Sequence, residues 1–250
     1  AITTIAATIQ PRELDFSSLC DFLVYRFVPS PKTIWKRINK LPPAHYLEVD
    51  FNGVMRLNEY WKLAVGNRKI SEKEIIFLTD EFLQKSISMH LRSDVPVGTF
   101  LSGGYDSSAL VVYQNRLNYT PTTFSAGFKD WEGSEHQYAE TVSKKFNTKH
   151  HSEIMDETAF DLMDKLMYHY DEPVGDISIL PTYMLSRVAS KSVKTVLSGE
   201  GADELFCGYA WHQPPKHNVV SWRFNQLLGI PYIHYPIDAY CDSMAMGGFN

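Results

Sequence analysis

The stretch Val97-Gly98-Thr99-Phe100-Leu101-Ser102-Gly103-Gly104-Tyr105-Asp106-Ser107-Ser108 decides how this chain is read. Five residues of strand character run without a break into a Ser-Gly-Gly turn, and a helical pattern over 107–117 follows. The two glycines permit backbone conformations that other residues resist, so successive N–H groups can curl into a concave anion site. The helix that starts there adds its positive end. Ser102, Ser107 and Ser108 bring short hydroxyls. Asp106 is the informative residue. A carboxylate repels phosphate, and it belongs in such a loop where a divalent cation bridges the two. A Walker loop would carry Lys-Ser or Lys-Thr after its last glycine, and Tyr105 stands there instead. A bare Ser-Gly-Gly is no more than a turn; the strand in front of it and Asp-Ser-Ser behind it set this one apart.

Outward from this loop, strand and helix patterns alternate. Residues 95–101, 122–128, 150–155 and 193–197 read as strands. Residues 136–147, 158–170 and 181–190 read as helices, and Ala202 opens another. Ala139, Val142 and Phe146 would point inward, as would Met163, Leu166, Met167 and Tyr170. The alternation specifies an α/β fold: an open parallel sheet covered by helices on both faces. Ligands then sit beyond the carboxyl ends of the strands. A second loop of the same design is Val196-Leu197-Ser198-Gly199-Glu200-Gly201-Ala202-Asp203-Glu204-Leu205-Phe206. Acids at a helix start are favourable in themselves. The sharper reading is a second half-site, with Asp203 sharing magnesium with Asp106 and Glu200 facing a reacting carbonyl.

The first sixty residues have a different texture. Asp15 would cap a helix reaching about Phe27, and Asn52-Gly53 between two β-rich runs signals a hairpin. Residues 66–71 read as a linker, and an amphipathic helix over 71–91 places Ile75, Leu78, Phe82 and Ile87 on one face. Three regions result: 1–65, 66–212 and 213–250. The chain has 250 residues, with 24 Lys+Arg against 29 Asp+Glu and a net charge of −5. That balance speaks against broad nucleic-acid binding. A hydrophobic fraction of 44% excludes a wholly disordered chain. No apolar run reaches the ~18–20 residues of a membrane span. Cys20, Cys207 and Cys241 are too few and too scattered for a disulfide scaffold or a Cys-x-x-Cys knuckle. The first ten residues do not read as a signal peptide, and a reducing, cytoplasmic setting is expected. His150 and His151 are adjacent on a strand and face opposite sides, which argues against a metal pair.

Ser102-Gly103-Gly104-Tyr105-Asp106-Ser107 resembles the pyrophosphate motif of the N-type ATP pyrophosphatases, whose sheet is of the adenine nucleotide α-hydrolase type. Ser198-Gly199-Glu200-Gly201-Ala202-Asp203-Glu204-Leu205-Phe206-Cys207-Gly208-Tyr209 narrows the resemblance to the synthetase domain of glutamine-dependent asparagine synthetases. Pro31-Lys32-Thr33-Ile34-Trp35, Leu41-Pro42-Pro43-Ala44-His45-Tyr46-Leu47, Phe124-Ser125-Ala126-Gly127-Phe128 and His150-His151 extend it from about Cys20 to Trp211. The resemblance implies that ATP activates the aspartate side chain as β-aspartyl-AMP, with release of pyrophosphate, and that ammonia then gives asparagine. Leu101 and Ala126 would line the adenosine site. Ser102, Gly103, Gly104 and Ser107 would hold pyrophosphate, and Ser198 and Gly199 would complete the ATP contacts. Asp106 and Asp203 would bind Mg2+, and Glu200 would support formation or breakdown of the acyl-adenylate. The implied partners are ATP, aspartate and ammonia, free or derived from glutamine, together with a glutaminase domain or subunit and a second copy in a homodimer. Nucleic acid and membrane are not expected.

Three departures qualify what the resemblance implies. The family's glutaminase half begins with a cysteine nucleophile, whereas this chain begins at Ala1 and Cys20 falls inside a helix pattern. Glutamine hydrolysis is therefore not expected of it. After Trp211 the family continues to an Arg-x-Pro-Phe-Leu-Asp-like segment and a catalytic lysine, which residues 212–250 do not show. A fragment, a truncated product or a replaced C-terminus would each read this way. The family also carries an arginine near position 177, where Asp176-Ile177 stands here. Arg187 is a candidate replacement for binding a carboxylate, with an ordinary exposed helix arginine as the other reading. Related enzymes that close β-lactam rings or cyclise peptides share both loops and activate other carboxylates. A non-catalytic ATP-binding remnant is the reading from outside enzymology.

Overall fold

The computed structural model describes residues 2–8, 12–64, 66, 69–129, 134–176 and 178–209, without the side chains at positions 3, 4 and 157. The chain divides into two compact units, Ala1–Leu197 and Ser198–Asn250. The first contains a four-stranded sheet of β3 (Val97–Phe100), β4 (Thr122–Phe128), β5 (Lys149–Met155) and β6 (Thr195–Leu197), in the order β5-β4-β3-β6. Every pairing is parallel, with Gly98 opposite both Thr122 and Val196, and Thr123 opposite His150. The fold is the expected α/β one, an open parallel sheet covered by helices.

The pleat sorts side chains onto two unlike faces. Toward α4 (Tyr105–Arg116) and α5 (His136–Phe146), Leu101 packs with Val111 and Ala139. The strand interiors on this side are polar and mutually satisfied. Thr99 donates to Gln114 Oε1 at 2.9 Å, and His150 holds Thr123 Oγ1 at 2.9 Å and Ser125 Oγ at 3.1 Å with its two ring nitrogens. Toward α7 (Ile179–Ala189) the face is apolar. The first half of α7, with Leu180 and Met184, packs against Met155, Ala126 and Phe128. Its second half, with Leu185 and Val188, packs against Phe124, Phe100 and Val196. The start of α7 therefore lies at the carboxyl edge of the sheet. His151 stacks on Phe124 with ring centroids 5.5 Å apart, on the side opposite to the hydroxyls that hold His150. The two histidines part as the strand period requires.

Gly98 explains how β3 fits in the middle. A Cβ there would stand 2.7 Å from Phe124 Cε2 and 3.1 Å from Thr122 O. Of the helices before the sheet, α1 spans Ile2–Thr8, and the next two are capped by the side chains ahead of them. Asp15 accepts from Ser17 N–H ahead of α2 (Phe16–Tyr25), and Ser71 accepts from Glu74 N–H ahead of α3 (Glu72–His90). β1 (His45–Val49) and β2 (Met55–Glu59) form the expected hairpin, with Gly53 at φ +80° and Asp50 accepting from Asn52 and Val54 N–H. Ahead of this hairpin, the chain around Thr33 makes a small core of its own with Val28, Ile34 and Ile38 buried.

Three expectations are corrected, the first being that Tyr170, expected to point inward, is 38% exposed. The helix read over 158–170 is a 3-10 helix, Glu157–Leu162, followed by α6 (Met163–Tyr170). Asp156 takes both the N–H and the hydroxyl of Thr158, which caps a tight turn in place of a full α-helical start. The apolar face expected on α3 is not buried as a stripe: Ile87 is 5% exposed, whereas Ile75 and Phe82 are 48% and 64% exposed. A polar clamp ties α3 to α4, where Asp80 Oδ1 accepts from Tyr113 OH at 2.8 Å and Arg116 NH1 at 2.7 Å. Among the described residues no helix is long and apolar enough to cross a membrane.

Gly98→Ala is expected to destabilise the chain by about 1–3 kcal/mol in urea unfolding, because the buried ring of Phe124 and a backbone carbonyl must give way. A second expectation concerns pH. Burial holds the His150 imidazole below its ordinary value of about 6.5, with the nearby Glu140 charge only partly opposing. The folded state then binds fewer protons than the unfolded state, so this contribution is present above about pH 6.5 and is lost as pH falls below it. The drop in urea midpoint between pH 7.5 and 5.5 should be smaller in His150→Gln than in the wild type.

Candidate nucleotide site

The turn after β3 closes on itself through its serines. Ser102 Oγ and Ser107 Oγ lie 2.9 Å apart, Ser102 N–H donates to Ser107 Oγ at 3.2 Å, and Gly104 N–H donates to Ser102 Oγ at 3.2 Å. Gly104 is the N-cap of α4, so the N–H groups of Tyr105, Asp106 and Ser107 have no acceptor within the helix. Gly103 sits at φ +89°. A Cβ on it would lie 2.5 Å from the backbone carbon of Tyr138 and 2.6 Å from Ala139 N, because the first turn of α5 presses on the loop. The structure places Ser102, Gly103, Gly104, Asp106 and Ser107 in one turn at the carboxyl end of a central parallel strand. Ser108 does not join them; its hydroxyl is buried and takes no partner among the described residues.

Asp106 is exposed in the first turn of α4, where the helix end favours a negative charge. An exposed carboxylate beside free N–H groups and hydroxyls suits Mg2+, which is commonly held by one or two carboxylates plus substrate phosphates. Among the described residues no three His, Cys, Asp or Glu side chains are arranged for a metal ion. The donor set therefore fits a cation that arrives with phosphate better than a resident all-protein site.

Leu101 and Ala126 are placed differently from what lining an adenosine with side chains would need. Leu101 is 1% exposed, its side chain packs on the α4 and α5 side, and its N–H donates to Phe124 O at 2.8 Å. Ala126 packs on the α7 side. The two side chains point to opposite faces of the sheet, so what Leu101 can offer a ligand is its carbonyl. The turn after β4 holds residues that the sequence reading missed. Ser134 Oγ accepts from Phe128 N–H at 2.9 Å and pairs with His136 Nδ1 at 2.8 Å. A Cβ on Gly127 would meet that imidazole at 2.7 Å. The only local signal was a polar Ser-Glu-His run ahead of α5.

In the second unit, described through Tyr209, Ser198 and Glu200 are exposed and Gly201 has φ +87°. Helix α8 (Ala202–Phe206) carries Asp203 and Glu204 in its first turn, and Ala202 N–H donates to Gly199 O at 3.3 Å. Gly208 N–H donates to Asp203 O at 3.0 Å, and a Cβ at Gly208 would overlap the Asp203 carboxylate. Tyr209 donates to Glu204 Oε1 at 3.0 Å. That bond, then burial and the charges of Asp203 and Glu200, push its phenol up. Trp211, His212 and the segment 213–250 lie outside the described residues. Arg187, the candidate carboxylate binder, is committed to Glu153 Oε1 at 2.6 Å.

The family model described as asparagine synthase matches residues 78–238, more than half of the chain. This chain belongs to the asparagine synthase family. The match to the family continues past Trp211 into the C-terminal segment. A glutamine-hydrolysing asparagine synthetase of Bacillus subtilis is 32% identical over 204 residues, covering 81% of this chain and 32% of its own length. A putative one of Methanocaldococcus jannaschii is 40% identical over 190 residues, covering 74% and 37%. The chain thus spans about a third of the length of the curated relatives it matches. An NMN synthetase of Francisella tularensis is a structural neighbour at TM-score 0.38 and 18% identity, over 56% of this chain and 59% of that one.

The two glycines of the asparagine synthase loop should respond unequally. Gly103→Ala forces a side chain into the left-handed region, at about 1–2 kcal/mol before any clash with Tyr138. In calorimetric titration with Mg-ATP it should lose at least about tenfold in affinity. Gly104→Ala, with φ −66° and only Ser102 Oγ nearby at 3.3 Å, should bind close to wild type.

Proposed function

We propose that this chain carries the ATP-dependent, amide-forming half of an asparagine synthetase. The loop of residues 102–107 would take the β- and γ-phosphates of ATP on its N–H groups and serine hydroxyls. A carboxylate oxygen of aspartate would attack the α-phosphorus, forming β-aspartyl-AMP and expelling pyrophosphate. Ammonia would then attack the acyl carbon, and AMP would leave with the bonding electron pair. Charge that builds on pyrophosphate is what preorganised N–H donors at a helix start stabilise best. Bound Mg2+ would neutralise part of that charge. Asp106 would hold the cation at this loop, and Leu101 would meet the adenosine through its carbonyl. The roles of Ala126 as an adenosine contact, Ser198 and Gly199 as ATP contacts, Asp203 as a magnesium ligand and Glu200 at the acyl-adenylate rest on the family resemblance of their motifs.

The observation that carries this reading is the closed serine–glycine loop at the carboxyl end of β3, with Asp106 in the first turn behind it. The reaction class is that of a carbon–nitrogen ligase of the glutamine-hydrolysing asparagine synthase type. The nitrogen donor would be ammonia, supplied free or by a glutaminase domain or subunit. A second reading, in which the loop activates a different carboxylate, is favoured by the acceptor side: Arg187 is held by Glu153, and Asp176 accepts from Ser178 N–H beside the position where an arginine was expected.

ATP–pyrophosphate exchange with magnesium separates these readings. Exchange that requires aspartate and falls at least about a thousandfold in Asp106→Ala is the expected result. Exchange supported by another acid and not by aspartate would move the assignment to the second reading. Binding of Mg-ATP without exchange for any acid would leave a nucleotide-binding chain without ligase chemistry.

A further inference from the structure

Residues 171–176 follow α6, and α7 begins at the carboxyl edge of β4 and β5. That edge is where open α/β sheets bind ligands. The connection is held by two remote parts of the chain: Ile2, whose N–H donates to Asp171 Oδ2 at 3.2 Å, and residues 26–40. Glu172 is the main anchor. Its side chain is 9% exposed; Oε1 accepts from Ile34 N–H at 2.9 Å, and Oε2 meets Lys40 Nζ at 2.5 Å. Lys40 Nζ also donates to Val28 O at 2.7 Å. A second anchor is Gly175, whose N–H donates to Arg26 O at 2.8 Å. A Cβ on Gly175 would lie 2.9 Å from Arg26 Cβ, so the two backbones are in close contact. Beyond these anchors Asp176 and Ser178 are exposed at the sheet edge.

We infer that Lys40 and Glu172 are positioning residues, which hold residues 171–176 in place as one wall of the acceptor-carboxylate site. The inference rests on the adenylation reading above. Its physical basis is the cost of the ion pair. Lys40 is 30% exposed and Glu172 only 9%, so the pair adds little net stability, but removing Lys40 strands a nearly buried carboxylate. Without Lys40 the Glu172 carboxylate would have to leave its pocket for water and would carry the connection with it. Nothing in this clamp touches the phosphate loop, so the effect should fall on the acceptor and not on ATP. Residues at the far end of the sequence thereby set the geometry of a wall built by the middle of it.

Lys40→Met tests this, with Lys40→Arg as the rescue and Lys36→Met as the control; Lys36 pairs with Glu13 at 3.1 Å on the surface of the same region. The readouts are ATP–pyrophosphate exchange with aspartate, or with whichever acid supports it, and amide hydrogen exchange by mass spectrometry. In Lys40→Met the acceptor concentration for half-maximal exchange should rise about tenfold, with that for ATP little changed. Amides at 174–176 should exchange about tenfold faster, while those of β3 and β4 keep their protection. Lys40→Arg should recover most of both effects, and Lys36→Met should behave as wild type. An unmoved acceptor requirement overturns the inference. So does an equal rise for ATP and acceptor, or a loss of protection that reaches β3 and β4, since either marks a general loss of stability. A wild-type chain that exchanges with no acid overturns the adenylation reading itself, and the acceptor role with it.

Discussion

A side chain on Gly103 would meet the backbone of Tyr138 and Ala139 at about bonding-neighbour distances, 2.5–2.6 Å, so α5 can lie against the turn after β3 only because none is there. Much follows from that close approach. It lets α4 and α5 pack side by side over Leu101, Val111 and Ala139. It holds the turn in a left-handed conformation at φ +89°, which leaves Gly104 to cap α4 and brings Ser102 within reach of Ser107. The packing of the layer and the shape of the candidate phosphate loop are thus one constraint. Gly98 has the matching role within β3 itself, where the ring of Phe124 occupies the space a side chain would need.

The two faces of the sheet divide the work between them. The α7 face is made of Phe100, Phe124, Ala126 and Phe128 against Leu180, Met184, Leu185 and Val188, and it gains its stability from removing apolar surface from water. The α4 and α5 face buries Thr99, Thr123, Ser125 and Gln114. Such groups are costly unless they are hydrogen-bonded; the pairings Thr99–Gln114 Oε1, Thr123–His150 and Ser125–His150 meet that need for the hydroxyls, whereas Gln114 Nε2 is buried without a partner among the described residues. A polar face of this kind gives less net stability than an apolar one and demands one register. The candidate phosphate loop is on this face, closed by Ser102 and Ser107, and Ser134 pairs with His136 at the start of α5. Residues 171–176 lead toward the other face and are fixed from outside the sheet, by Lys40 and Ile34 on Glu172. On the proposal above, nucleotide and acceptor would be held by separate structural supports.

The sequence by itself determined the local pieces. Alternating strand and helix periods gave the α/β class and the sites of β3 to β6, because those periods depend only on which face each neighbouring residue meets. Asp15, Ser71 and Asn52-Gly53 announced two helix starts and a hairpin, since caps and turns are satisfied within a few residues. The strand–turn–helix of the candidate phosphate loop was legible for the same reason: its three parts are contiguous. Tertiary structure decided the rest. Whether Arg187 is free to bind a carboxylate depends on Glu153, 34 positions away. Which residues of α3 are buried depends on a clamp between Asp80 and α4, and the periodicity of α3 alone could not reveal it. The directions of Leu101 and Ala126 depend on which helices cover which face. The anchor of Glu172 on Ile34 joins residues 138 positions apart. Contacts of that length leave no pattern in a single sequence, because the partner's identity is set by where the fold brings the chain back and not by any spacing along it.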